Sequence, residues 1–176
     1  MKATIIEIKA RCKHPEKIKS ILENHNAEFK GIDHQVDTYF KVSTGRLKLR
    51  EGNIENTLIY YQRANQAGPK KSEVSFYRTD AKSGLKEVLV NALENLTKVD
   101  KKRAIYFIDN VKFHVDEVKG LGSFMEIEAI DETGTLSEAT LLEQCQHYLK
   151  LFGIEKEDLI ENSYSDLLIA HKELNS

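Results

Sequence analysis

With 176 residues, of which 40% are hydrophobic and 31% charged, the chain is long enough to bury a core in one domain and too balanced to be a disordered tail. Its formal net charge of −2 argues against nucleic-acid binding through bulk charge, so any basic surface must come from segregating charge within the fold. Cys12 and Cys145 lack metal-type spacing and read as free thiols of a reducing cytoplasm, and charges at Glu7, Lys9 and Arg11 exclude a signal peptide or membrane span at the start.

Residues 3–12 alternate and are β-branched, which predicts a strand. "HPEKIKSILENHNA" follows with Pro15 at a first helical position and Ile18, Ile21 and Leu22 on one face. "EFKGIDHQVDTYFKV" returns to strand character, and "TGRLKLREGN" gives a short strand after a Gly turn. "NTLIYYQRANQAGPKK" is a strand running into a loop at Gly68-Pro69, and "SEVSFYRT" is strand again. "KSGLKEVLVNALENLT" has the spacing of an amphipathic helix with Leu85, Val88, Leu89, Ala92, Leu93 and Leu96 inward. "VDKKRAIYFIDNVKFHVDEV" reads as a hairpin turning at Asp109-Asn110, and "SFMEIEAI" as the last strand. A helix from a Ser137 cap to a Gly153 stop and two shorter helical pieces close the chain. The order β-α-β-β-β-β-α-β-β-β-α-α, without repeats or linkers, predicts one α+β domain over 1–176 with an antiparallel sheet of about eight strands.

Charge recurs on one face of strand after strand. Glu7, Lys9 and Arg11 alternate with Ile6, Ile8 and Ala10; Arg46, Lys48 and Arg50 with Leu47 and Leu49. Arg63 ends one strand, and Lys71 and Glu73 share a parity on the next. Lys101 and Arg103 oppose Ala104 and Tyr106, while Lys112, His114 and Asp116 oppose Val111, Phe113 and Val115. Glu126 and Glu128 oppose Met125 and Ile127. Strands this basic on one face repel one another unless acids or a bound polyanion lie between them. The pattern therefore predicts a basic concavity for an anionic ligand, and Arg forks with Lys point charges suit phosphate oxygens. Glu7, Asp116, Glu126 and Glu128, gathered by a curling sheet, are hard oxygen ligands for Mg²⁺ or Mn²⁺. The six histidines show no zinc-type spacing, and no Gly-rich phosphate loop is present. Asp37 reads as the partner of an interior Arg, Ser163 or Ser165 as a helix cap, His114 as a hydrogen-bonding filler and Cys12 as packing.

The ordered set "EIKAR", "QVDTYF", "GRLKLRE", "KKR" at 101–103, "HVDEVKGLGSFMEIE" and "SYSDLL" resembles the CYTH superfamily of triphosphate tunnel metalloenzymes, nearest its class IV adenylyl cyclase-like branch. The resemblance implies a closed eight-stranded antiparallel tunnel with a charged interior and helices over its apolar outer faces. It implies that Lys9, Arg50, Arg63, Lys71, Lys101 and Arg103 hold phosphates, with Arg46 and Lys48 on the Arg50 face. Glu7, Asp116, Glu126 and Glu128 would hold one or two Mg²⁺ or Mn²⁺ ions, with Glu7, Lys9 and Asp116 closest to the chemistry. The implied partner is a nucleoside or other triphosphate, with no nucleic acid and no membrane; a homodimer is compatible with it. The implied reaction is conversion of ATP to cyclic AMP and pyrophosphate, the alternatives being triphosphate hydrolysis and binding without turnover. Two positions depart from the family pattern. In the family's E-x-E-x-K motif the first acid is Ile5 here, and its Thr-x-Lys is Tyr61-x-Arg63.

Overall fold

The computed structural model describes residues 1–176. Eight strands form: β1 (Lys2–Arg11), β2 (Glu28–Phe40), β3 (Arg46–Glu51), β4 (Thr57–Gln62), β5 (Lys70–Arg78), β6 (Asn95–Ile108), β7 (Val111–Val118) and β8 (Gly122–Asp131). The α-helices are α1 (Pro15–Asn24), α2 (Leu85–Ala92), α3 (Glu138–Leu151) and α4 (Tyr164–Leu174), with a single 3-10 turn at Lys156–Asp158. The strands close into an antiparallel barrel in the order β1-β5-β4-β3-β2-β6-β7-β8, and β8 returns to β1. Closure removes every sheet edge, so each interior position is fixed by period-2 alternation and register. No helix is long and apolar enough to cross a membrane.

The barrel is apolar outside and charged inside. Outward Ile6, Ile8 and Ala10 of β1, Val111, Phe113 and Val115 of β7, and Met125, Ile127 and Ala129 of β8 pack against Ile18 and Leu22 of α1 and Leu141 and Cys145 of α3. Phe113 is fully buried and meets the rings of Tyr148 and Phe152 edge-on at 4.7 and 5.7 Å. Cys12 is packed in this same layer. Helix α3 starts where the Ser137 side chain accepts from the Thr140 amide. Helix α4 starts in a capping box, Ser163 accepting from the Asp166 amide and Asp166 accepting from the Ser163 amide. That cap holds the first turn of α4 against one end of the barrel.

One expectation is corrected. The helix read over 82–97 is only eight residues, α2, and none of its side chains is buried; Val88 is 62% exposed. Leu93 turns extended, and Asn95 to Thr97 join β6, where they pair with Phe40 and Tyr39. Ladder pairing outweighs an amphipathic pattern that has no surface to cover. The outward residues Gln62, Glu73, Ser75 and Tyr77 of β4 and β5, mostly polar, are exposed. These differences set a contrast in stability. Phe113→Ala should cost about 3–5 kcal/mol in urea unfolding, whereas Val88→Ser should stay within about 0.5 kcal/mol; equal losses would contradict this placement of the core.

Candidate active site

Inward positions of the strands surround a cavity of about 290 Å³. It opens between Ile54, Arg78 and Glu132, all exposed, and ends at Ser163 and Tyr164, both buried. Eight basic side chains line it, Lys9, Lys48, Arg50, Arg63, Arg78, Lys101, Arg103 and Lys112, with six acids, Glu7, Asp37, Glu55, Glu126, Glu128 and Glu132. Ions this deep persist only when paired, and most of these are.

One cluster centres on Asp37. Arg50 donates Nε and Nη2 to its two oxygens at 2.9 and 3.0 Å, Lys101 donates Nζ at 2.8 Å, and Lys48 lies at 3.2 Å. Burial alone would raise the Asp37 carboxyl, but Arg50, Lys101 and Lys48 hold it well below the usual range. Three cations share one carboxylate. Burial, with Arg50, Arg103 and Lys48 as like-charged neighbours, outweighs the pull of Asp37 and brings Lys101 down to about 7. Nearby, Glu55 accepts from Arg50 at 3.1 Å and from Lys112. Asp33, itself buried, accepts the Ile54 and Glu55 amides at 2.8 and 2.9 Å and fixes that loop. Gly52 is needed there, because a Cβ would stand 2.5 Å from the Asp33 carboxylate.

A second cluster lies at the closed end. Lys9 Nζ is 3.0 Å from Glu126 and 3.8 Å from the centre of the Tyr164 ring. Arg103 forks onto Asp116 at 2.7 and 2.6 Å and reaches Glu126 at 3.2 Å, and Tyr164 donates its hydroxyl to Asp116 at 2.7 Å. Arg63 pairs with Glu7. Glu128 stands in register with Glu7 on one side and Lys112 on the other. His114 Nδ1 is 3.0 Å from Glu126, and His114, Glu126 and Glu128 bring ligand atoms within 4.8 Å of one another. Burial, reinforced by Arg103, lowers the His114 pKa, so the ring is neutral at neutral pH. Glu126, held ionised by Lys9 and Arg103 against burial, can only accept, so Nδ1 carries the proton. Nε2 is then a bare lone pair, buried and without a partner. The oxygens of Glu126 and Glu128 suit a hard divalent cation such as Mg²⁺ or Mn²⁺, while the imidazole, turned to them by its Nδ1–H, orients Glu126.

Of the predicted residues, Glu7, Lys9, Lys48, Arg50, Arg63, Lys101, Arg103, Glu126 and Glu128 line the cavity. Three do not. Lys71 and Glu73 share a parity as expected, but it is the outward one: Lys71 is exposed and pairs with Glu138 and Glu73. Its neighbour Lys70 is buried, donates to the Ile160 and Glu161 carbonyls, and is pushed down to about 8 by burial and by Arg63 and Lys9. Asp116 points inward, where Arg103 and Tyr164 hold its oxygens, and His114 stands beside the carboxylates of Glu126 and Glu128. Arg46 lies beside the closed end, paired with Asp166 at 2.8 Å. Lys112 carried a sequence signal, sharing the polar parity of β7 with His114. Glu55 and Tyr164 carried none, since a loop and a helix start bring them in.

The chain belongs to the CYTH family: the family's CYTH domain matches residues 3–164. It is 25% identical to "Putative adenylate cyclase" of Methanocaldococcus jannaschii, over 93% of this chain and 98% of that one. In fold it is similar to the PH1012 protein of Pyrococcus horikoshii, with a TM-score of 0.77 at 24% identity over 93% of this chain and 98% of that one. The fold is also similar to "Putative adenylyl cyclase HpAC1" of Hippeastrum, described as having a dominant triphosphatase activity, with a TM-score of 0.60 at 16% identity over 96% of each chain.

Two stability outcomes follow from the interior charges. Asp37→Asn leaves three buried cations without their acid and should cost about 3–5 kcal/mol in urea unfolding; a loss within experimental error would contradict the cluster. Lys101 binds its proton less tightly folded, at about 7, than unfolded, near 10.5. Between those values the unfolded chain holds the extra proton, so stability rises with pH by up to about 1.4 kcal/mol per unit. Lys101→Met should flatten that rise between pH 7 and 10; an unchanged slope would contradict it.

Proposed function

We propose that the chain is a divalent-metal-dependent triphosphatase that takes its substrate's triphosphate end-on into the tunnel and cleaves off the terminal phosphoryl group. The observation carrying this reading is where the carboxylates lie. Glu126 sits with Lys9, Arg103 and His114 beside Tyr164, at the closed end. A triphosphate entering at the mouth leads with its terminal phosphoryl, so that group meets this cluster first.

Mg²⁺ or Mn²⁺ held by Glu7, Glu126 and Glu128 would neutralise charge on the phosphoryl oxygens, with His114 orienting Glu126 through its Nδ1–H. Ile5 contributes no carboxylate to that set. Lys9 and Arg63, paired with Glu126 and Glu7 in the free protein, exchange those acids for phosphoryl oxygens when substrate enters. Arg103 stays forked on Asp116, which fixes its position rather than competing for the substrate. Lys48, Arg50 and Lys101 lie along the chain of phosphates. Water attacks in line, and the protein supplies charge and position rather than a covalent nucleophile.

A second reading is cyclisation of ATP, favoured by the name of the M. jannaschii relative. There the ribose 3′-OH attacks the α-phosphorus, which in the same pose lies two phosphoryls nearer the mouth. The buried free thiols Cys12 and Cys145 fit a reducing cytoplasm for either.

Incubation with Mg²⁺ or Mn²⁺ and either ATP or tripolyphosphate should release orthophosphate, and Glu126→Ala or Glu7→Ala should cut the rate on the order of 100-fold or more. Cyclic AMP with pyrophosphate would replace this reading by the second. Binding without turnover would make the chain a non-catalytic polyanion module. In the same assay Lys71→Ala should leave KM within about twofold, whereas Arg63→Ala should raise it about tenfold or more; equal effects would contradict the inward and outward placements.

A further inference from the structure

The charged lining does not run the whole length of the tunnel. On the four neighbouring strands β4, β5, β1 and β8, the inward residues toward the mouth include Ile59, Val74, Phe76, Ala3, Ile5 and Ile130, with Ser72 beside Ile5 and with Thr57 and Arg78 at the rim. They are contiguous by register, Ile59 opposite Phe76, Ala3 opposite Val74 and Ile5 opposite Ile130. The other four strands, β3, β2, β6 and β7, carry Lys48, Arg50, Asp37, Lys101, Arg103 and Lys112. The mouth half of the cavity therefore has one aliphatic wall. Deeper on the same strands come Glu7, Lys9, Glu126 and Arg63, and the wall turns ionic.

Below the rim this wall offers a phosphate only the Ser72 hydroxyl. It gives a purine little more, since ring nitrogens and an exocyclic amine pressed against Ile, Val and Phe would lose water without gaining hydrogen bonds. It does stabilise aliphatic surface, by about 25 cal/mol for each Å² removed from water. The cavity of about 290 Å³ lies at the small end of the ~300–1,000 Å³ usual for organic ligands, so the group it accepts is compact.

We infer that the preferred substrate is a triphosphate monoester of a compact aliphatic alcohol, its phosphates in the ionic half and its alkyl group against the Ile5–Ile130 wall. This rests on the triphosphate reading above and narrows it to a substrate class.

The test is calorimetry in Mg²⁺ with three probes that resist loss of the terminal phosphoryl: imidotriphosphate, 3-methylbutyl β,γ-imidotriphosphate and the β,γ-imido analogue of 3′-deoxy-ATP, which has no 3′-OH to cyclise. Burial of about 60 Å² of the alkyl group should make the second bind about tenfold tighter than the first. It should also bind tighter than the adenosine compound. The near-isosteric double variant Ile5→Thr/Val74→Thr should reduce the alkyl preference to below threefold. Equal binding of the inorganic and alkyl probes, tighter binding of the adenosine probe, or an unchanged preference in the double variant would overturn the inference while leaving the triphosphate site in place. Failure of all three probes to bind would remove the triphosphate reading, and this inference with it.

Discussion

Asp37, almost wholly inside the barrel, is shared by Arg50, Lys101 and Lys48, and that pairing shows the constraint under which the whole fold is built. A closed barrel this narrow normally fills its interior with apolar side chains. Here many interior positions are ions, and each of these has to find a counter-ion within the ring of strands or meet a desolvation cost of several kcal/mol. Register supplies many of the partners: Lys9 stands beside Glu126, Arg103 beside Asp116, and Asp37 beside Arg50. Because the interior cannot serve as the hydrophobic core, the core moves to the outer surface of β1, β7 and β8, under α1 and α3. The fold is stabilised from outside so that its inside can be reactive.

That arrangement also sets what the cavity can bind. Some interior pairs are locked. Arg103 and Asp116 are joined by two short hydrogen bonds with Tyr164 as a third partner, and they form a floor. Others are single contacts, Lys9 on Glu126 and Arg63 on Glu7. In the proposed mechanism these contacts open: the acid turns to a divalent cation and the base to a phosphate. A preorganised set of opposite charges that trades internal partners for a ligand of both signs needs little reorganisation at the moment of reaction. His114, neutral and buried behind Glu126, orients that carboxylate through its Nδ1–H.

Much of this was legible in the sequence because β-strand alternation is a strict period. Glu7, Lys9, Lys48, Arg50, Lys101, Arg103, Glu126 and Glu128 all point inward as their parity requires. Where two adjacent residues were both lysines, parity alone could not choose. Lys70 and Lys71 are separated only by the register Glu7 opposite Lys70, which no local pattern reveals. For Asp116 the inward direction was legible from parity, but its bidentate pairing with Arg103, 13 residues away on β6, was not. The extent of α2 was overstated because helical spacing persists through residues that pair with β2 instead. Glu55 and Tyr164 come from a loop and a helix start, where alternation says nothing.

The central claim is that Glu7 holds Arg63 in reserve for phosphate. Tripolyphosphate binding in EDTA, compared between the wild type and Glu7→Gln, tests it directly, since no metal takes part. The account predicts that Glu7→Gln binds severalfold more tightly, because Arg63 is freed and a nearby negative charge is gone. Unchanged or weaker binding by Glu7→Gln would contradict it.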